Sequence, residues 1–190
     1  MTTSNGGLDR TEIRLVGEGG QGMILAGIIL AEAASIYDRK NAVQTQSYGP
    51  EARGGASKSE VVISSGEIDH PEVLEADALI ALSQEAYDKF SKEIKRRGLL
   101  IVDADKVDTS ATPQAISLPI TRLAFETTGK VITANTVALG ALVALTNVVS
   151  HEAIEKAVLA RAPKGTEEMN RAALKAGMEA AEKSRKTGHA

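Results

Sequence analysis

Six residues, Gly17-Glu18-Gly19-Gly20-Gln21-Gly22, constrain the fold of this chain more than any others. They follow a short apolar run, Ile13 to Val16, and precede a longer one, Met23 to Ala34. The first run has the length of a buried strand and the second that of a helix. Glycines at the junction permit positive φ and close approach of another backbone or a ligand. This is the G-x-G-x-x-G turn in the strand–turn–helix setting it requires. Free N–H groups at the helix start favour an anion there. A tight packing turn without a ligand gives the same pattern, so both readings stand at this point.

The rest of the chain alternates in the same way. Strands are expected over 42–46, 61–63, 78–82, 99–102 and 116–118. Asp69-His70-Pro71-Glu72 has the cap, proline and acid of a short helix start. Ser83 is expected to cap a helix over 84–96, with Gly98 ending it. Helices follow over 122–127, 133–149, 152–161 and 167–186, the last two capped by Ser150 and Thr166. Strands alternating with helices imply parallel pairing and right-handed crossovers. The expected fold is α/β: a Rossmann-like, mostly parallel sheet flanked by helices, with a C-terminal helical layer. Residues 1–10 are polar and read as a disordered tail without the apolar segment of a signal peptide; residues 11–190 read as one α/β domain.

Composition removes several function classes. The 190 residues include no cysteine, which excludes disulfides, thiolate zinc sites, a cysteine nucleophile and cysteine-ligated iron–sulfur clusters in this chain. A net charge of −3 argues against the basic face of a nucleic-acid binder or of a protein that docks on anionic membranes. With 29 Ala, 3 Tyr, 2 Phe and no Trp, the core must be aliphatic and its helices closely packed. Val131 to Ser150 carries no charge, but Asn135, Thr136, Thr146 and Asn147 interrupt it, so it reads as a buried helix and not a membrane span. That helix is apolar nearly all round. Either the last two helices wrap it or another subunit does, and the two asparagines, which want partners, favour a subunit contact.

Nicotinamide binding lacks a part. An acid about 20 residues after the glycine turn would hold the ribose, and Ala42 to Gln46 offers none. Asp38 precedes the strand in a polar turn and reads as solvated. The segment Ser47 to Gly55 is a glycine-framed loop that would lie at the same sheet edge, where sites of open α/β sheets form. Its Tyr48, Glu51 and Arg53 offer a hydroxyl, a carboxylate and a guanidinium suited to a phosphate or carboxylate. A solvated surface turn is the plain reading of the same residues. Asp103 and Asp105 could bind a metal, although two aspartates on a loop are usually solvated. His70, His151 and His189 are scattered and show no metal spacing. No nucleophile elbow or P-loop lysine motif occurs, so no self-sufficient catalytic set is present.

Taken in order, GEGGQG at 17–22, TQSYGPEARGG at 45–55, SKSEVVIS at 57–64, ADALIALSQEAYDKF at 76–90 and the AN-x-x-ALGAL helix from Ala134 resemble one family. It is the gamma subunit, or equivalent domain, of the 2-oxoacid:ferredoxin oxidoreductases, and the SYGPEARGG form looks most like the 2-oxoglutarate enzyme. The resemblance implies a non-redox subunit of a cytoplasmic hetero-oligomer that decarboxylates a 2-oxoacid oxidatively to its acyl-CoA. Thiamine diphosphate, Mg and iron–sulfur clusters would sit in partner subunits (alpha, beta and a ferredoxin-like delta), with ferredoxin as acceptor and coenzyme A as co-substrate; neither nucleic acid nor membrane is implied. Gly17, Gly19, Gly20, Gln21 and Gly22 would form one loop, and Tyr48, Gly49, Glu51, Arg53, Gly54 and Gly55 the other. What they would face is coenzyme A or a neighbouring subunit. A stand-alone NAD-binding oxidoreductase and a nucleotide- or anion-binding module are the alternatives.

Overall fold

The structure, a computed structural model, describes residues 10–47, 55–112 and 114–187. Six strands form one sheet: β1 (Arg10–Glu18), β2 (Asn41–Ser47), β3 (Ala56–Ser64), β4 (Ala76–Ala81), β5 (Ile94–Asp103) and β6 (Ile116–Leu118), in the order β2-β3-β1-β4-β5-β6. The pairs β1–β4, β4–β5 and β5–β6 are parallel, while β3 runs antiparallel to both β1 and β2. The helices are α1 (Met23–Glu32), extended by a π-helical turn over Ala33–Tyr37, then α2 (Gln84–Phe90), α3 (Ile120–Thr128), α4 (Ala134–Thr146), α5 (His151–Arg161) and α6 (Glu167–Lys186). This is the expected Rossmann-like α/β architecture with its C-terminal helical layer. Arg10 already belongs to β1, and residues 1–9 lie outside the described residues.

Alternation along the strands separates two cores. Ile13, Leu15, Ile80 and Ile101 point to the face covered by α1 and α3 to α6. Val16, Leu79, Leu100 and Val102 point to the other face, where Tyr87 and Phe90 of the short α2 are the main cover. Arg14 also points to this second face. Its guanidinium is nearly fully buried, 2.7 Å from Glu60 and 2.6 Å from Glu93, and lies 5.8 Å from the Phe90 ring centroid.

Residues 69–72 form no helix. The carbonyls that a first turn would use are taken by β1: the Arg10 guanidinium donates to His70 O at 2.8 Å and that of Arg14 to Val73 O at 2.5 Å. The helix after Ser83 is also shorter than expected. The Ser83 cap is present, with Ala86 N–H donating to its hydroxyl at 3.3 Å, but the chain leaves the helix at Phe90 and joins β5 at Ile94. Gly98 ends no helix; it sits in β5 at a bulge, where a Cβ would lie 2.9 Å from the Ala76 carbonyl oxygen. Ser150 caps α5, its hydroxyl accepting from Ala153 N–H at 3.1 Å. Thr166 stands at the start of α6 without capping it, because its hydroxyl donates to Pro163 O at 2.7 Å.

The expectation that a second subunit covers the apolar helix is corrected. Ala134 to Ala144 are all buried within this one chain, chiefly against α6. Two glycines bring the helix backbones together. A Cβ on Gly177 would lie 2.8 Å from the Val137 carbonyl carbon, and one on Gly140 3.0 Å from that of Leu174. Asn135 finds its partners inside the chain: it donates to Gly22 O at 3.4 Å and accepts from Thr136 N–H at 2.9 Å. Asn147 serves as the left-handed residue that ends α4. Among the described residues, no helix is long and apolar enough to cross a membrane.

Candidate functional site

The glycine turn occupies the carboxyl edge of the parallel strands, between β1 and α1. Gly20 (φ 96°) and Gly22 (φ 75°) are left-handed, as a turn this tight requires. Gln21 holds it shut: its side-chain oxygen accepts from Glu18 N–H at 2.7 Å and its amide donates to Leu82 O, beyond β4, at 3.1 Å. The Gln21 amide group is thus committed to the scaffold. Gly17 leaves room for that oxygen. Gly22 is pressed by Asn135, whose amide nitrogen would lie 2.7 Å from any Cβ there. By contrast, a Cβ on Gly19 or Gly20 would meet nothing within 4 Å, so this part of the turn is open to an approaching group. α1 begins with no side-chain cap and no acid in its first turn, which leaves its positive end unneutralised by the helix itself.

The second expected loop falls partly outside the described residues: Tyr48, Gly49, Glu51, Arg53 and Gly54 lie there. The residues on either side of it are described. Ser47 pairs with Lys58 and Ala56 with Glu18, so both ends of the loop stand at the edge that carries the glycine turn. Gly55 leads into Ala56, and the Ser57 hydroxyl donates to Gly17 O at 3.1 Å.

A cleft of about 360 Å³ opens beside the turn, lined by Gly20, Gln21, Lys106, Thr121, Val131, Ile132 and Ala134. Sequence reasoning missed its second wall. Lys106 follows β5 and Thr121 lies in the first turn of α3, just after β6, so both come after the carboxyl ends of parallel strands; that position was the available signal. Val131 and Ile132 are 52% and 72% exposed, which no periodicity in the run 131–150 foretells. Asp103 is neither a solvated turn residue nor a metal ligand here. It is buried, and its carboxylate accepts from Asp105 N–H at 3.2 Å, from Thr121 N–H at 3.1 Å and from the Thr121 hydroxyl, which fixes α3 to the end of β5. Asp105 pairs with Arg122 at 3.4 Å. Among the described residues no group of His, Asp and Glu could hold a metal ion. Asp38 also departs from the solvated reading, since it accepts from Ser150 N–H at 2.6 Å and from the Ser150 hydroxyl at 2.7 Å. Among the described residues, β2 carries no acid at its end to hold a ribose.

The family model for pyruvate ferredoxin/flavodoxin oxidoreductase matches residues 12–180. The 2-oxoglutarate synthase subunit KorC of Methanocaldococcus jannaschii is 57% identical over 176 residues, covering 90% of this chain and 94% of that protein. The crystal structure of the gamma subunit of a keto/oxoacid ferredoxin oxidoreductase from Geobacter sulfurreducens superposes with a TM-score of 0.84 at 56% identity, covering 92% of this chain and 97% of that one. The fold also recurs in the 2-oxoglutarate:ferredoxin oxidoreductase of Magnetococcus marinus, at a TM-score of 0.79 and 24% identity, over 92% of this chain and 31% of that one.

Proposed function

The chain belongs to the pyruvate ferredoxin/flavodoxin oxidoreductase family, and from that premise we propose that it is the gamma subunit of a 2-oxoglutarate:ferredoxin oxidoreductase. The single observation that carries the substrate is the near full-length identity to the M. jannaschii 2-oxoglutarate synthase subunit. The complex would oxidise 2-oxoglutarate to succinyl-CoA in the cytoplasm and pass electrons to ferredoxin. Alpha, beta and ferredoxin-like delta subunits would carry thiamine diphosphate, its Mg ion and the iron–sulfur clusters. With no cysteine, this chain has no thiolate to offer a cluster.

In this reading the turn Gly17–Gly22 and the loop from Tyr48 to Gly55 face coenzyme A at the seam with a catalytic subunit. The open backbone at Gly19 and Gly20, the uncapped start of α1 and the Arg53 guanidinium suit its phosphates. The chain's own task is to bind and orient the thiol carrier; bond making and electron transfer belong to its partners. The lack of an acid within β2 and the engagement of Asp38 with Ser150 weigh against a nicotinamide role.

The test of the assignment is turnover by the complex purified from its source. It should reduce ferredoxin only when both 2-oxoglutarate and coenzyme A are supplied, and the isolated chain should be inactive. A complex that prefers pyruvate or 2-oxoisovalerate would correct the substrate, and turnover by the pure chain would defeat the subunit reading. Arg53→Ala tests the loop. Loss of a charged hydrogen bond, about 1.5–3 kcal/mol, raises the apparent KM for coenzyme A by about tenfold or more while the KM for the 2-oxoacid stays put. An unchanged KM for coenzyme A would remove Arg53 from the site.

A further inference from the structure

Of the polar side chains that line the cleft beside Gly20, one alone is free to meet a ligand. Gln21 is bonded at both ends of its amide, to Glu18 N–H and to Leu82 O. The Thr121 hydroxyl donates to Asp103. Val131, Ile132 and Ala134 have apolar side chains. That leaves Lys106. It is exposed, and its ammonium meets no acid and no carbonyl among the described residues. No acid lines the cleft either, so a chain of net charge −3 keeps an uncompensated cation here.

The backbone beneath that cation is fixed. Lys106 N–H donates to Asp103 O at 3.0 Å, and the N–H of the buried Val107 donates to the same oxygen at 2.9 Å. The Asp103 carboxylate in turn accepts from Asp105 N–H in the same turn and from Thr121 N–H of α3. The apolar wall is fixed as well. The buried Thr133 donates its hydroxyl to Lys130 O at 2.9 Å and lies 2.9 Å from the Thr128 hydroxyl, which leaves Val131 and Ile132 turned outward. On the glycine side, a Cβ at Gly20 would meet nothing within 4 Å, and the Gly20 N–H finds no acceptor among the described residues.

These walls match an anion that carries an uncharged body. A phosphate would take the ammonium and the Gly20 N–H, and the rest of the molecule would lie against the aliphatic side chains. A wholly uncharged ligand would strip water from the ammonium and return no partner. Free phosphate would leave the aliphatic wall wet. We infer that Lys106 is a specificity-determining contact to the diphosphate of coenzyme A, with Val131 and Ile132 supporting an uncharged part of the same molecule. The inference rests on the coenzyme A reading above and extends it to a third strand end: the glycine turn follows β1, the Arg53 loop follows β2, and Lys106 follows β5.

The test uses the assembled complex, with the variants Lys106→Met, Lys106→Glu and Lys106→Arg in this subunit. Calorimetry reads the Kd for coenzyme A, and steady-state assays read the KM for coenzyme A and for 2-oxoglutarate. Lys106→Met should raise the Kd and KM for coenzyme A by about tenfold or more, as expected for loss of a charged hydrogen bond. Lys106→Glu should weaken binding further, and Lys106→Arg should restore most of it, while the KM for 2-oxoglutarate stays put. A loss that arginine does not restore, or one shared by 2-oxoglutarate, would make Lys106 a structural residue and overturn the inference. Gly19→Trp fills the approach to the turn, where a Cβ meets nothing within 4 Å, and so tests the underlying reading. If Gly19→Trp weakens coenzyme A binding and Lys106→Met does not, the Lys106 contact alone is refuted. If neither variant weakens it, the coenzyme A reading fails and the inference falls with it.

Discussion

Replacing Gly177 by alanine should destabilise the chain, although alanine is the better helix former. The substitution removes a propensity penalty worth about 1 kcal/mol in favour of the variant. Against that stands the crossing of α4 and α6. The new Cβ would lie 2.8 Å from the Val137 carbonyl carbon and 3.0 Å from the Ala141 nitrogen, both backbone atoms. Carbon atoms pack best at about 3.5–4.0 Å, so the helices must part by roughly 1 Å. A gap of that size forfeits a quarter to a half of each contact well along the seam, and overpacking of a tight core typically costs about 1–3 kcal/mol before that loss is added. The net loss expected is about 2–3 kcal/mol, or roughly 4–12 °C in Tm for a chain of this length. Urea unfolding followed by circular dichroism reads it directly. Gly140→Ala should behave alike, and the double variant should fall well short of the sum, because one separation relieves both clashes. A Gly177→Ala protein as stable as wild type, or a strictly additive pair, would refute the close crossing.

Three further perturbations follow from the same structure. Arg14→Met leaves the buried Glu60 with only Lys58 as an ionic partner and should lose about 3 kcal/mol or more in urea unfolding; adding Glu60→Leu should restore much of it, since the pair would be replaced by apolar contact. Gly22→Ala forces an alanine into the left-handed region and against Asn135, and should lower stability by about 1–2 kcal/mol, read as a shift in the urea midpoint. The Lys95 ammonium is partly desolvated, which alone would lower its pKa, but hydrogen bonds of 2.9 Å to both Asp77 oxygens and the nearby Glu12 charge raise it above the ordinary 10.5. Stability from this raised group is fully present below about pH 10 and fades as pH climbs through the folded value. The Tm advantage of wild type over Lys95→Met should therefore hold flat to about pH 10 and shrink above it; a constant difference to pH 12 would exclude the coupling.

The glycine turn, the strand-to-helix alternation and the helical C-terminal layer were legible because each is a local pattern. The antiparallel insertion of β3 was legible in principle. Only eight residues, 48–55, separate β2 from β3, too few for a crossover of a dozen or more residues. Arg14 was hidden in an apolar run because one charge among Ile13, Leu15 and Val16 looks like noise until Glu60 of β3 and Glu93, just before β5, meet it. The cover of α4 depends on Gly140 meeting Gly177, a coincidence of two helices that no local pattern announces. At the candidate site, Lys106, Thr121 and Ile132 became neighbours of Gly20 through the order of strands. Asn135 and Gly22, parts of two separate motifs, touch for the same reason.

β1, which precedes the other five strands in the sequence, stands in the interior of the sheet. β1 can pair with β3 only after about 40 more residues have been added, and with β4 later still. At about 5–20 residues per second the nascent strand stays single for several seconds. An exposed segment of Ile13, Leu15 and Val16 would in that interval be prone to pair with copies of itself, and a charge set within the run acts as a gatekeeper against it. The same side chain would then serve twice: as a charge that discourages unfinished chains from pairing, and, once folded, as the ion partner of Glu60 and Glu93.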